Sequence, residues 1–417
     1  MMFKKSPVFL LLTAVAILLP VAANGEQEPD SFANHRAKAL KLGRLTNPPI
    51  VHDAVGFAEE DGMKPIFYDA LPWKGKPTRV FAWLGLPGKS NGKLPGIVLV
   101  HGGGGTAFKE WVTKWNQHGF AAISIAVEGQ TDQAKPNAKR GNRWQRHEWA
   151  GPSRVGIFAD SDEPLEDQWI YHAVADTVLA NSLLRSLPEI DADKIGVMGI
   201  SWGGVVTSTV IGIDDRFAFA IPTYGCGHLF DADNQWGRAL GGNRLYREVW
   251  DPMVRMEHAR MPVLWLSWPK DSHFPLDCQA ACYRAMPGPR MVALIMGMGH
   301  SHPAGWNPPD SYAFAKCIAE TGKPWIRQIA NRQKDGTVEV EFSSTRPLEQ
   351  ATLIWTPEVG FTGSRTWNES PASLESRGNN VVTSAALPSS ARAWFINVRS
   401  EGLTASSEYF EVAAAAE

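Results

Sequence analysis

From residue 96 the chain alternates between unbroken apolar runs and longer segments whose apolar residues recur every three or four positions. GIVLVHGGGG (96–105) is a continuous apolar run ending in four glycines, FKEWVTKWNQHG (108–119) has helical spacing, and FAAISIAV (120–127) is again apolar throughout. After a polar stretch from 128 to about 166, DQWIYHAVADTVLANSLLRSL (167–187) returns to the helical period, and the strand-like KIGVMG runs into the turn GISWGG (199–204). VVTSTVIGI then reads as a helix, AFAIPTYG (218–225), PVLWLSW (262–268) and RMVALIMG (290–297) as strands, and helices are expected near 276–285 and 310–320. A strand that is apolar at every position is buried on both faces, and strands alternating with helices predict a parallel sheet covered by helices.

Before and after this region the pattern differs. RVFAWLGLP (79–87) alternates and ends in Pro, whereas 26–75 is polar and proline-containing, with only a short helical stretch near 31–42. From 335 the helical period stops. TVEVEFSS, QATLIWTP, SRTWNES, NVVTSAAL, ARAWFINVRS and SSEYFEV are short alternating segments broken by Gly, Pro, Asn and Ser. They predict a small antiparallel β-sandwich.

The expected organisation is an export signal at 1–25, an extension at 26–75, an α/β domain at 76–324 and a sandwich at 335–417. The signal rests on Lys4 and Lys5, an apolar run from 8 to 19 and a small-residue exit through Ala22, Ala23 and Gly25. That run is shorter than the roughly 20 residues of a membrane-spanning helix, so cleavage is expected, and secretion or a periplasmic location with it. No later stretch is long and apolar enough to span a bilayer.

The elbow GISWGG raises the question of chemistry. A serine hydroxyl needs a base to take its proton, and the base needs a third group to orient it. Downstream, PVLWLSW is followed by PKDSHFPLD and RMVALIMG by MGHSHPAGW. The next strands therefore end in an acid and a histidine, in the order Ser, Asp, His. Ser201 is the expected nucleophile, Asp271 the acid and His300 the base, with Asp277 and His302 as the competing choices. The N–H of Trp202 heads the helix after the elbow and is the expected first oxyanion donor, with Gly103 or Gly104 of the HGGGG loop as the second. His101 is read as ordering that loop, and His273 has a milder claim.

HGGGGTAF, GISWGG, WPKDSHFPLD, MGHSH and EIDADKIGVMG together resemble the α/β-hydrolase superfamily, in the branch of the dienelactone hydrolases, acetyl xylan esterases and prolyl oligopeptidases. The likeness covers about 80–322. Lys270 stands where secreted relatives have Asn in the pattern N-D-x-x-F-P-L-D. The resemblance implies an α/β-hydrolase fold and serine hydrolysis without cofactor or metal.

Composition narrows the substrate. Lys plus Arg number 41 against 43 Asp plus Glu, a net charge of -2 that gives no footprint for nucleic acid. The 17 Trp include Trp144, Trp149, Trp236, Trp250 and Trp306 outside the predicted strands. Indoles at a cleft rim stack on sugar faces, and Arg143, Arg146, His228 and Arg238 are placed to meet hydroxyls or a carboxylate. Trp144, Trp236, Trp306, Arg143 and His228 are the expected substrate contacts.

The acidic residues between 128 and 167 lack the spacing of a calcium loop, and no paired Cys or His motif points to zinc. Cys226, Cys278, Cys282 and Cys317 allow three full disulfide pairings in an oxidising compartment. A bond from Cys278 or Cys282 to Cys317 is favoured over one between the two.

The reading is an exported serine esterase acting on a small-molecule or polysaccharide ester, with deacetylation of a carbohydrate foremost. The alternatives are a prolyl oligopeptidase-like peptidase, a glucuronoyl-type esterase, and a non-catalytic carbohydrate-binding protein on a hydrolase scaffold.

Overall fold

The computed structural model describes residues 31–88, 92–136, 138 and 143–412. The expected export signal at 1–25 lies outside them. The strands up to the last histidine loop are β1 (Val51–Asp53), β2 (Met63–Trp73), β3 (Lys76–Gly85), β4 (Leu94–Val100), β5 (Ala121–Ile125), β6 (Gln130–Ala134), β7 (Trp144–Arg146), β8 (Ile190–Ile200), β9 (Phe219–Thr223), β10 (Val263–Ser267) and β11 (Arg290–Leu294). The α-helices are α1 (Ala33–Lys41), α2 (Lys109–Gln117), α3 (Trp169–Ser186), α4 (Trp202–Val210), α5 (Gln235–Leu240), α6 (Leu276–Ala285), α7 (His302–Trp306) and α8 (Pro309–Thr321).

The main sheet runs β1-β2-β3-β5-β4-β8-β9-β10-β11, antiparallel from β1 through β5 and parallel thereafter. Every residue of β5, β9 and β10 is buried, which is why these strands read as unbroken apolar runs. With helices on both faces, this is the α/β-hydrolase fold. No described helix is long and apolar enough to cross a membrane.

β2 lies inside the stretch whose sequence showed only a helix, because Pro65 and Pro72 interrupt its pattern. The structure accommodates both prolines outside the 66–68 segment that pairs with β1, so at those positions β2 is flanked on one side only.

The C-terminal strands are β12 (Ile326–Lys334), β13 (Thr337–Ser344), β14 (Gln350–Thr356), β15 (Asn368–Arg377), β16 (Asn380–Ala386), β17 (Ala393–Ser400), β18 (Leu403–Ser406) and β19 (Phe410–Glu411). All pair antiparallel with one another, in two sheets linked through β15, which meets β14 through 368–372 and β16 through 373–377. β12 begins ahead of the expected start at 335. Its sequence IRQIANRQK is exposed at most positions and offers no apolar alternation to read.

The sheet of β14, β17 and β18 continues the main one. β18 pairs with β11 at Val292↔Ser406, the Leu294 N–H donates to Ser406 Oγ at 2.8 Å, and the Asn397 side-chain amide donates to the Leu294 carbonyl at 3.0 Å. α8 joins through buried Asp310, whose Oδ1 accepts the Thr404 N–H at 2.6 Å.

Burial pushes the Asp310 carboxyl up to about 6, against the pull of the Thr404 N–H. Between about pH 4 and 6 its native form therefore holds a proton that the unfolded chain has given up. Stability from this group is full at low pH and is lost as pH rises through about 6. Asp310→Asn should accordingly gain on wild type by up to about 3 kcal/mol between pH 4 and pH 7. Urea unfolding at both pH values measures it; a difference that does not change with pH contradicts this role.

Candidate active site

Ser201 stands between the end of β8 and the start of α4, with φ 58° and ψ -115°. This conformation is strained for a residue carrying a β-carbon. The surroundings hold it in place. The Ser201 N–H donates to the Thr223 carbonyl at 2.9 Å, and its own carbonyl accepts the Val205 N–H at 3.0 Å. The turn closes only because its neighbours are glycines: a Cβ on Gly199 would lie 2.0 Å from the Gly203 carbonyl oxygen, and one on Gly203 would lie 2.0 Å from that of Val100.

The loops after β10 and β11 converge on this turn. His300 Nε2 lies 3.0 Å from Ser201 Oγ, and its Nδ1 lies 2.6 Å from Asp271 Oδ2. A carboxylate only accepts, so Nδ1 carries the hydrogen and Nε2 is left to take one from the serine. Asp271 is 1% exposed, and its other oxygen accepts the N–H groups of His273 and Phe274, each at 2.8 Å. Both carboxylate oxygens are thereby fixed toward one task.

The imidazole is also held on its faces. Tyr224 stacks on His300 at 4.4 Å between centroids and donates its hydroxyl hydrogen to the Gly299 carbonyl at 2.8 Å. Phe274 lies parallel to it at 6.1 Å, and His273 meets it edge-on at 4.8 Å. Tyr224 went unread in the sequence, since an aromatic just past a strand carries no motif. Asp277 is in the first turn of α6, where its side chain bonds to the backbone at 277 and 278, and it lines a separate pocket with Arg284, Tyr409 and Glu411.

The HGGGG loop is tied down carbonyl by carbonyl. His101 donates from Nδ1 to the Gly102 carbonyl at 2.8 Å, Trp144 Nε1 donates to that of Gly104 at 3.0 Å, and the Gln130 amide donates to that of Gly105 at 2.9 Å. His302 Nε2 accepts the Gly102 N–H at 2.9 Å. Burial lowers both His101 and His302 to about 4, so His302 stays a neutral acceptor through the neutral range. With Gly102 committed, Gly103 faces Trp202: a Cβ on it would lie 3.0 Å from the indole Cδ1. The N–H of Trp202, at the first position of α4, has no intrahelical partner.

In front of Ser201 lies a cavity of about 610 Å³. Of the expected substrate contacts, Trp236 lines it together with Trp202, His273 and Phe274. Trp144 and Arg143 lie outside the lining: Trp144 bonds to the Gly104 carbonyl behind it and carries Arg143 over its ring at 4.6 Å. Trp306 is 7% exposed and packs on Phe108 and Trp111 in the core. His228 pairs with Asp231 at 3.3 Å and lies outside the lining. Trp250, read as a loop residue, is fully buried. Arg154, unsignalled within the polar 128–166 stretch, is on the cavity wall.

Cys226, Cys278 and Cys282 are buried, Cys317 is half-buried, and all four are free thiols. Cys317 on α8 bonds to the Lys323 carbonyl instead of approaching α6. Among the described residues no cluster of His, Cys, Asp or Glu is arranged to hold a metal.

The family model described as Acetyl xylan esterase (AXE1) matches residues 52–251, just under half of the chain. The match includes Ser201 and ends before Asp271 and His300. Acetyl xylan esterase 1 from Thermoanaerobacterium sp. JW/SL YS485 superposes with a TM-score of 0.50 at 19% identity, covering 66% of this chain and 89% of that one. An acetyl xylan esterase from Paenibacillus sp. R4 gives 0.49 at 21% identity, covering 66% and 90%. Pyrococcus horikoshii acylaminoacyl peptidase gives 0.47 at 18% identity, covering 66% and 43%. No curated protein matches the chain. The fold is that of the α/β-hydrolases, and the family match supports a carboxylic ester hydrolase.

Proposed function

We propose that this chain is an exported serine esterase that removes acyl groups, acetyl foremost, from carbohydrate. The observation that carries the reading is the hydrogen-bonded line from Ser201 Oγ through His300 to Asp271, at 3.0 and 2.6 Å. Ser201 attacks the ester carbonyl as His300 Nε2 takes its proton, and Asp271 holds the imidazolium that forms. The N–H groups of Trp202 and Gly103 receive the oxyanion. His300 then returns the proton to the leaving alcohol, and water, activated by the same imidazole, cleaves the acyl-enzyme.

Export is supported by the sequence of residues 1–25, and the carbohydrate leaving group by the match to the acetyl xylan esterase model. An oxyanion hole and a hydroxyl nucleophile also suit amide cleavage, so substrates decide. Hydrolysis of p-nitrophenyl acetate and release of acetate from acetylated xylan, with no cleavage of a proline-containing anilide, is the expected result. Cleavage of the anilide without the esters would overturn the proposal.

A further inference from the structure

The guanidinium of Arg154 is held on three sides. Its Nε contacts Glu128 Oε1 at 3.4 Å, its Nη1 donates to the Gly156 carbonyl at 2.8 Å, and its carbon lies 4.4 Å from the centre of the Trp202 ring. Nη2 remains. Among the described residues it has no acceptor, and it points along the glycine loop, 3.1 Å from where a Cβ on Gly103 would be. An arginine immobilised in this way keeps two N–H groups directed beside the proposed oxyanion site, with little rotamer freedom left to lose.

The charge around it is one-sided. Among the residues that line the cavity, Arg154 is the one permanently charged side chain, and none is a carboxylate. The remaining titratable groups there are His273, His300 and His302. Glu128 sits behind the guanidinium and meets it through Nε alone, so the free edge is not neutralised by a bidentate partner.

An acetyl group makes no use of this edge. Its one strong acceptor, the carbonyl oxygen, goes to the backbone N–H groups of Trp202 and Gly103, and its methyl asks for apolar surroundings. The cavity of about 610 Å³ also far exceeds an acetyl group and falls in the range that takes a sugar-sized ligand. A second acceptor close to the scissile ester accounts for both features.

Resting on the esterase reading above, we propose that Arg154 selects esters of acidic sugars: the substrate carries a carboxylate near the acylated hydroxyl, and Nη2 binds it. Neutral acetylated sugars remain substrates but lack this contact. Arg154 then sets specificity and takes no part in proton transfer.

The test compares kcat/KM for an O-acetylated methyl glucuronoside with that for the methyl glucoside acetylated at the same position. The ratio cancels any general loss that a substitution brings. Wild type should favour the uronate by about tenfold or more. Arg154→Gln should bring the ratio close to one, and Arg154→Lys, which keeps the charge, should lie between. A wild-type ratio near one, or a ratio unchanged in Arg154→Gln, overturns the proposal. If neither acetylated sugar nor p-nitrophenyl acetate is hydrolysed, the esterase reading itself fails; deacetylation of both sugars at equal rates removes only the role of Arg154.

Discussion

Asp271→Asn is expected to lower kcat by about 10⁴-fold while the protein stays folded, whereas Asp277→Asn should leave kcat nearly unchanged. The contrast follows from what each carboxylate touches. Asp271 Oδ2 accepts the His300 Nδ1 hydrogen at 2.6 Å, which leaves Nε2 unprotonated and facing Ser201. An amide at 271 can turn its NH₂ to His300 and stabilise the opposite tautomer, with the hydrogen on Nε2 and no base for the serine. Asp277, on the side of α6 that meets the C-terminal strands, cannot influence that choice. Initial rates on p-nitrophenyl acetate with circular dichroism on both variants decide it; equal losses, or the larger loss at Asp277, would contradict the assignment.

Gly363→Ala is expected to have the second largest effect, although it lies in the C-terminal unit. A Cβ there would sit 2.1 Å from the Asp271 carbonyl oxygen, so the acid loop must move or the turn must open. The neighbouring Thr362 is buried and its Oγ1 accepts the Leu276 N–H at 2.9 Å, pinning the far end of the same loop where α6 begins. Overpacking of this kind costs roughly 1–3 kcal/mol, and a shift of the acid by about 1 Å lowers kcat on the order of 10²-fold. KM should rise as well, because His273 and Phe274 of the same loop line the cavity. Thermal unfolding and steady-state kinetics on the one variant check both parts; kcat at the wild-type level would mean that the C-terminal strands do not support the acid loop.

The parts of the fold that could be read from the sequence are those where one physical cause dominates. β4, β5, β9 and β10 are buried almost throughout, so apolarity alone marks them, and the elbow between β8 and α4 is marked by glycines that no other residue can replace. β2 and β12 were not legible for opposite reasons: prolines break the first, and exposure leaves the second without an apolar pattern.

In the site, Ser201, Asp271 and His300 could be nominated because each lies in the turn or loop that follows a strand of the parallel sheet, and parallel strands deliver their C-terminal ends to one edge. The cavity wall could not. Arg154 comes to it from the long connection between β5 and α3, where no local period marks which side chain turns inward, so nothing in the sequence sets it apart from Arg143, which stays outside the lining. Nor does the presence of a Trp say which way it faces. Trp236 reaches the cavity, whereas Trp250 and Trp306 fill the core.

The central claim is that Ser201 carries the acyl group during turnover. Reaction with a fluorophosphonate, followed by intact mass and peptide mapping, tests it most directly. The account predicts a single adduct on the peptide that contains Ser201, parallel loss of esterase activity, and neither adduct nor activity in a folded Ser201→Ala variant. Ester hydrolysis that persists in that variant, or an adduct on another residue, would contradict it.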